Sequence, residues 1–175
     1  MIFSCKGIDE ERQKAIREFA EEFGFAVGVS GAEIVCRESD NLTVEYNGKT
    51  LTIGTRGGKG FFRALSLAAN MPDGMPFSVR ESYGLRNAGL MADCSRNGVR
   101  GLETVKKLIR YMAALGYNTL QLYTEDLFEV EGEPFFGYLR GRYSCGELRA
   151  LDDYAALFGI ELIPCIQTLA HFTNP

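Results

Sequence analysis

The chain has 175 residues, 46% of them hydrophobic and 24% charged, with a net charge of -4: the composition of a globular protein. No basic block, basic-aromatic interleaving or zinc-finger spacing is present, which argues against a nucleic-acid partner. No apolar run approaches the roughly 20 residues of a membrane span. The opening Met1-Ile2-Phe3-Ser4-Cys5-Lys6 is too short and too soon charged for a signal peptide, so the expected location is the cytoplasm. The five cysteines, Cys5, Cys36, Cys94, Cys145 and Cys165, are odd in number, widely spaced and without a C-x-x-C pair. They fit a reducing compartment better than a disulfide framework, and paired zinc-ligand spacing is missing. No metal or cofactor is expected.

Two halves of the chain follow different patterns. Residues 1–80 read as a small α+β domain. Residues 2–5 form a short strand. Residues 9–23 are helical, because Ile16, Phe19, Ala20 and Phe23 recur at helical spacing with charges opposite. Residues 25–29 and 33–37 are strand-like. Leu42, Val44 and Tyr46 alternate with polar residues, and Leu51 and Ile53 resume the alternation. Asn47-Gly48 between them predicts a type I′ hairpin, in which both turn residues take positive φ. A helix over 59–70 carries Phe61, Phe62, Leu65 and Ala68 on one face. The stretch 71–76, rich in Pro and Gly, reads as a turn and linker.

Residues 81–175 form the second predicted domain, and from residue 87 they alternate strand, helix, strand, helix, strand. The strands are 88–93, 117–123 and 160–166. The first helix, 101–115, buries Leu102, Val105, Leu108, Ile109 and Met112, with Glu103 and Lys107 as an i,i+4 pair. The second opens on Ser144-Cys145-Gly146-Glu147, a capping box, and buries Leu148, Leu151, Ala155 and Phe158 before Gly159 ends it. Such alternation implies a parallel sheet with right-handed crossovers. Pro164 removes a ladder donor and belongs near its strand's C-terminal end. The fold class is therefore α/β: a small α+β domain, then the first three strands and two helices of a (β/α)8 barrel. Three of eight strands leave an open sheet edge and an uncovered apolar face, which favour self-association.

Three segments follow strand ends and share one face of a parallel barrel: Asp93-Cys94-Ser95-Arg96-Asn97, Thr124-Glu125-Asp126, and Gln167 through His171, the only histidine. An acid at 126 or 125 beside His171 would orient the ring, stabilise its protonated form and tune a nearby general acid. Plainer readings stand beside this one. A lone histidine is commonly structural, Asp93 and Arg96 could pair with each other or cap the next helix, and Glu125-Asp126 could be a solvated loop. Cys94 or Cys165 could act as a nucleophile with His171, although nothing in the sequence marks either thiol as activated. Arg140-Gly141-Arg142 suits a solvated loop or an anion or sugar contact. The Gly-rich run 54–60 lacks a Ser/Thr after Lys59 and the glycine spacing of a P-loop, and reads as a turn.

These segments resemble motifs of glycoside hydrolase family 20, the β-N-acetylhexosaminidases. Gly89-Leu90-Met91-Ala92-Asp93-Cys94-Ser95-Arg96-Asn97 is similar to the family's first barrel strand, usually Met-Leu-Asp followed two residues later by Arg. Leu122-Tyr123-Thr124-Glu125-Asp126 is similar to its second-strand His-Leu-Thr-Asp-Asp. Ile163-Pro164-Cys165-Ile166-Gln167-Thr168-Leu169-Ala170-His171 is similar to its third-strand Ile-Pro-Glu-Ile-Asp-Met-Pro-Gly-His. The resemblance implies a retaining exo-hydrolase of terminal β-linked N-acetylglucosamine or N-acetylgalactosamine, in which the substrate's own acetamido oxygen attacks the anomeric carbon. It implies that His171 and Asp126, or less directly Glu125, back the acid. It also implies that Arg86, Glu125 and Asp93 meet the sugar, although the family's arginine falls near Ala88 and Arg86 is displaced from it. Tyr123, Cys165 and Gln167 depart from the commoner motifs, no tryptophan is present, and the family's catalytic Asp-Glu pair follows a fourth strand beyond these motifs. The chain is thus expected to be an N-terminal part of such an enzyme and inactive alone. The competing class is a non-catalytic carbohydrate-binding or assembly module with an exposed sheet edge.

Overall fold

The computed structural model describes residues 1–166. A six-stranded mixed sheet comes first. It contains β1 (Ile2–Ser4), β2 (Ala26–Val27), β3 (Ala32–Glu38), β4 (Leu42–Tyr46), β5 (Thr50–Thr55) and β6 (Phe77–Glu81), in the order β2-β1-β3-β5-β4-β6. The pairs β1–β2, β1–β3 and β3–β5 are parallel; β4 runs antiparallel to β5 and β6. Helices α1 (Glu10–Phe23) and α2 (Phe61–Ala69) supply its apolar cover. Asp9 caps α1 by accepting from the Arg12 amide at 2.9 Å, and Gly24 ends it in the left-handed region. Phe3, Ile16, Phe19, Ile34, Val44, Leu51, Ile53 and Leu65 are all buried in this core.

Two details differ from the sequence reading. The hairpin between β4 and β5 exists, but only Gly48 takes a positive φ, 97°. Asn47 keeps a negative φ and instead accepts from the Lys49 and Thr50 amides at 2.9 Å each, so its side chain closes the turn. A type I′ turn, which needs two positive φ values, is therefore excluded. The second difference is β6, which the sequence leaves unassigned. It offers only Phe77 and Val79 as alternating apolar residues and is an edge strand, so its signal is short.

The second sheet is β7 (Gly89–Asp93), β8 (Thr119–Tyr123) and β9 (Glu161–Cys165), all parallel, in the order β7-β8-β9. The crossovers carry α3 (Leu102–Leu115) and α4 (Cys145–Leu157). This is the opening of a (β/α) barrel, as expected. Ser144 and Glu147 form both arms of the capping box, and Gly116 ends α3 at φ 84°. Leu120 and Leu122 are buried with Val105, Ile109, Leu151 and Ala155, the strand face that the helices cover. The expected Glu103–Lys107 pair does not form. Lys106 takes Glu103 at 2.8 Å, and Lys107 reaches Glu22 on α1 at 3.2 Å.

Pro164 is accommodated by parity. In a parallel ladder a residue directs its N–H and C=O to the same neighbour, and alternate residues face opposite sides. The Cys165 carbonyl accepts from the Thr124 amide at 3.2 Å, and the Glu161 amide donates to the Asn118 carbonyl at 2.9 Å. Odd-numbered residues of β9 therefore face β8, and Pro164 turns its missing donor away from the sheet.

The two sheets share one helical layer. Phe158, at the end of α4, packs on Phe62 of α2 with ring centroids 4.6 Å apart and on Phe19 of α1 at 6.4 Å. Burying one such ring stabilises by about 1.5–3 kcal/mol.

Candidate active site

The site is built by register. Asp93, Tyr123 and Cys165 are Cα partners across β7, β8 and β9, and each is the last residue of its strand. Side chains in register share a face, and these three take the face opposite Ala92 and Leu122, which are buried under the helices. Neighbouring strands lie about 4.8 Å apart, so the three side chains form one row at the mouth of the sheet.

The loop after β7 holds Asp93 as a carboxylate. Its Oδ1 accepts from the Ser95 amide at 2.8 Å, and its carbonyl accepts from Arg100 at 2.7 Å. The Ser95 hydroxyl and amide hold the Asp93 carboxyl below its ordinary range, with the charges of Arg96 and Arg100 adding. Asp93 thus turns its own loop, rather than ion-pairing with Arg96 or capping α3. Arg96 and Asn97 both take left-handed φ, 54° and 67°, to reverse the chain. Cys94 is completely buried, with Sγ 3.6 Å from the Ala92 carbonyl, which removes it as an accessible nucleophile. Cys165 is half-buried in the row.

Tyr123 is the member that sequence reasoning did not assign. Burial, reinforced by Glu125, Cys165 and Asp93, raises its phenol above the ordinary value, so it stays a hydrogen-bond donor at neutral pH. The signal lay in the alternation: Tyr123 stands to its strand as Asp93 stands to the strand before.

The segment after β8 is more ordered than a solvated loop. Glu125 adopts φ 50°, and the Asp126 carboxylate accepts from Arg140 at 2.9 Å. Arg142 donates to the Phe136 carbonyl at 2.6 Å. Tyr143 returns to the strand ends: its amide donates to the Leu127 carbonyl at 3.1 Å, and its hydroxyl donates to the Arg100 carbonyl at 2.8 Å. The loops after β7 and β8 are therefore tied together. Burial and the neighbouring Cys94 push the Tyr143 phenol up to about 12.

The residues singled out from sequence thus divide. Asp93, Glu125 and Asp126 all lie at the C-terminal ends of the strands. His171 lies outside the described residues. Arg86 does not join them: its carbonyl accepts from Asn118 Nδ2 at 2.9 Å, ahead of β8. It lines a cleft of about 630 Å³ with Tyr83, Arg63, Glu81, Gly116 and Gly159, at the opposite ends of the strands. Six residues lie between it and Asp93, a span of up to about 23 Å in extended chain. Among the described residues no three His, Cys, Asp or Glu side chains converge as a metal set would.

No protein-family model matches the sequence, and no curated protein matches it. The match is in structure. A family 20 exo-β-N-acetylglucosaminidase from Vibrio harveyi, solved with N-acetylglucosamine, superposes with a TM-score of 0.72 at 18% identity over 93% of this chain and 32% of that one. Flavobacterium johnsoniae chitobiase gives 0.69 at 17% identity over 94% of this chain and 30% of that one. The N-acetyl-β-hexosaminidase of Streptomyces plicatus gives 0.68 at 18% identity over 93% and 40%. The family whose motifs the sequence resembles is thus one whose solved members share this fold. The chain spans between 30% and 40% of the length of these three.

Proposed function

We propose that this chain is the N-terminal part of a retaining exo-β-N-acetylhexosaminidase acting on terminal β-linked N-acetylglucosamine or N-acetylgalactosamine. The observation that carries the reading is the joint occurrence of two features. Asp93 and Asp126 stand at the C-terminal strand ends, where (β/α) barrels do chemistry. The fold over 93% of the chain, the α+β unit included, matches solved enzymes of that activity. In this reading the acetamido oxygen of the substrate attacks the anomeric carbon while the glycosidic C–O bond breaks, and a glutamic acid protonates the leaving oxygen. That glutamic acid and the aspartate before it lie outside these 175 residues, so the chain alone does not turn over. Asp126 would support the acid, with His171 as the partner that the resemblance implies, and Asp93 and Tyr123 line the mouth. Arg86, at the far end of the strands, has no part in sugar binding.

Turnover of a chromogenic N-acetyl-β-glucosaminide tests this. The product of the complete natural reading frame is expected to hydrolyse it, and the 175-residue chain is not. A complete product that leaves N-acetyl-β-glucosaminides and N-acetyl-β-galactosaminides intact would overturn the reading and favour a non-catalytic carbohydrate-binding or assembly module.

A further inference from the structure

We infer that Arg140 is a positioning residue for the reaction: its guanidinium holds the Asp126 carboxylate by one oxygen and leaves the other to the group that Asp126 supports. The inference rests on the hydrolase reading, in which Asp126 backs the acid.

The pair is made across a long loop. Arg140 Nη1 lies 2.9 Å from Asp126 Oδ1, with 13 residues between the two. Oδ1 is the oxygen engaged among the described residues, so the second oxygen of the carboxylate stays open to an imidazole N–H. Among the described residues, Arg140 is the cation within ion-pair distance of a strand-end acid. The neighbouring arginines have other tasks: Arg142 donates to the Phe136 carbonyl at 2.6 Å, and Arg100 to the Asp93 carbonyl at 2.7 Å.

The backbone is bent on both sides to bring the pair together. Among the described residues, four other than glycine take positive φ: Arg96, Asn97, Glu125 and Leu139. Two of these four directly precede the members of the pair. Glu125, at 50°, leads into Asp126, and Leu139, at 59°, leads into Arg140. Residues with long side chains avoid the left-handed region and hold it only where the surroundings impose it. The frame that imposes it is close-packed. The Leu127 amide donates to the Thr124 carbonyl at 2.8 Å and closes a turn centred on Glu125 and Asp126; Thr124 and Leu127 are both buried. Gly137 comes so near that a Cβ there would meet the Asp126 carbonyl oxygen and the Arg142 side chain.

Stability does not explain this arrangement. Both partners are partly exposed, and an ion pair in such a place contributes little to the fold. Two unfavourable backbone conformations outweigh it. Orientation does explain it. A carboxylate that is to aim an imidazole must have its own plane fixed. A planar guanidinium with a rigid fork of donors fixes it better than the mobile point charge of a lysine.

The test is steady-state kinetics of the complete natural product on a chromogenic N-acetyl-β-glucosaminide. The variants are Asp126→Asn, Arg140→Gln, Arg140→Lys and the double Asp126→Asn/Arg140→Gln. Arg140→Gln should lower kcat about ten-fold at unchanged KM and unchanged Tm, the ordinary size of a coupling between contacting residues. Arg140→Lys, which keeps the charge, should recover part of that loss. The double variant should fall no further than Asp126→Asn alone, because Arg140 acts through Asp126. A parental kcat in Arg140→Gln would overturn the inference; beside an impaired Asp126→Asn, it would leave the hydrolase reading standing. Losses that multiply in the double variant would also overturn it, by making Arg140 a support of the loop alone. So would a raised KM with kcat kept, which would assign Arg140 to the sugar. A complete product without turnover would overturn the hydrolase reading and this inference with it.

Discussion

The Arg110 guanidinium on the first barrel helix lies 3.0 Å from the Glu22 carboxylate on the first helix of the α+β unit. Arg110 also donates to the Tyr154 hydroxyl at 2.7 Å, and that hydroxyl donates to Glu18 at 2.8 Å. Three helices are thus joined through one polar cluster at the margin of the Phe19–Phe62–Phe158 aromatic core. Removing the central hydroxyl strips partners from a half-buried guanidinium whose Nε already has none among the described residues. Tyr154→Phe should therefore destabilise by about 1–3 kcal/mol. That is a fall in Tm of about 2–12 °C for a chain of this size, and differential scanning calorimetry would show it. An unchanged Tm would mean that the cluster is incidental to the joint.

The same cluster makes stability depend on acid. The Arg110 hydrogen bond, aided by Lys107, lowers the Glu22 carboxyl below its ordinary value. A carboxyl lowered in the folded state contributes stability that is complete above its unfolded pKa, about 4.3 for Glu. The contribution is lost as pH falls through the folded pKa. Glu147, lowered by the Ser144 amide, acts in the same direction. Thermal melts between pH 6 and pH 3 should fall less steeply for Glu22→Gln than for the parent; parallel curves would count against the linkage.

At the alkaline end the sign reverses. Tyr143 is raised to about 12, so its folded form holds the proton more tightly than an unfolded tyrosine, about 10. Its contribution is whole below pH 10 and declines as pH rises toward 12. In Tyr143→Phe that decline should shrink, and ultraviolet titration of the parent at pH 11 should show Tyr143 still protonated. A full complement of tyrosinate at that pH in folded protein would contradict it.

Gly137→Ala meets two obstacles, a positive φ of 63° and the Asp126 carbonyl in the path of the new methyl group. We expect a loss of about 1–3 kcal/mol, with hydrogen exchange rising across residues 124–143 and little change in the six-stranded sheet. Protection that stays as in the parent would show that the loop adjusts freely.

Activity of the complete product separates the two ends of the strands. General acids contribute about 10²–10⁴ to rate. Asp126→Asn should therefore lower kcat about ten-fold or more and alter its pH profile. Arg86→Ala should leave kcat and KM unchanged. A rise in KM for Arg86→Ala would return that residue to the sugar site.

Much of this was legible in the sequence because local and global signals agreed. Val105, Ile109 and Met112 announce the buried face of α3 at helical period, and Ser144 with Glu147 marks the start of α4 to the residue. What escaped was set by partners distant in sequence. β6 is recognisable only by its pairing with β4, in which 30 residues lie between Tyr46 and its partner Phe77. Arg86 was expected to meet the sugar because the resemblance implies an arginine at the first barrel strand, but Arg86 precedes β7, and the two ends of an extended strand face different surroundings. Tyr123 was hidden for the opposite reason. It gains its place from register with Asp93 and Cys165, 30 and 42 positions away. Lys107 shows the same effect in a helix: its i,i+4 partner lost to Glu22 of another element.

Pro164 carries a consequence for whatever comes to lie beside β9. On the outward side of that strand, positions 162 and 164 alternate with those facing β8, and only Leu162 brings an N–H. A newcomer strand, whether from the same polypeptide or from another copy, would find a single donor where a regular ladder offers two. One of its carbonyls would be left over opposite the proline, one residue short of Cys165 and the mouth. That vacancy discourages indiscriminate zippering along this border, and it leaves an acceptor at the rim for water or a ligand hydroxyl to claim.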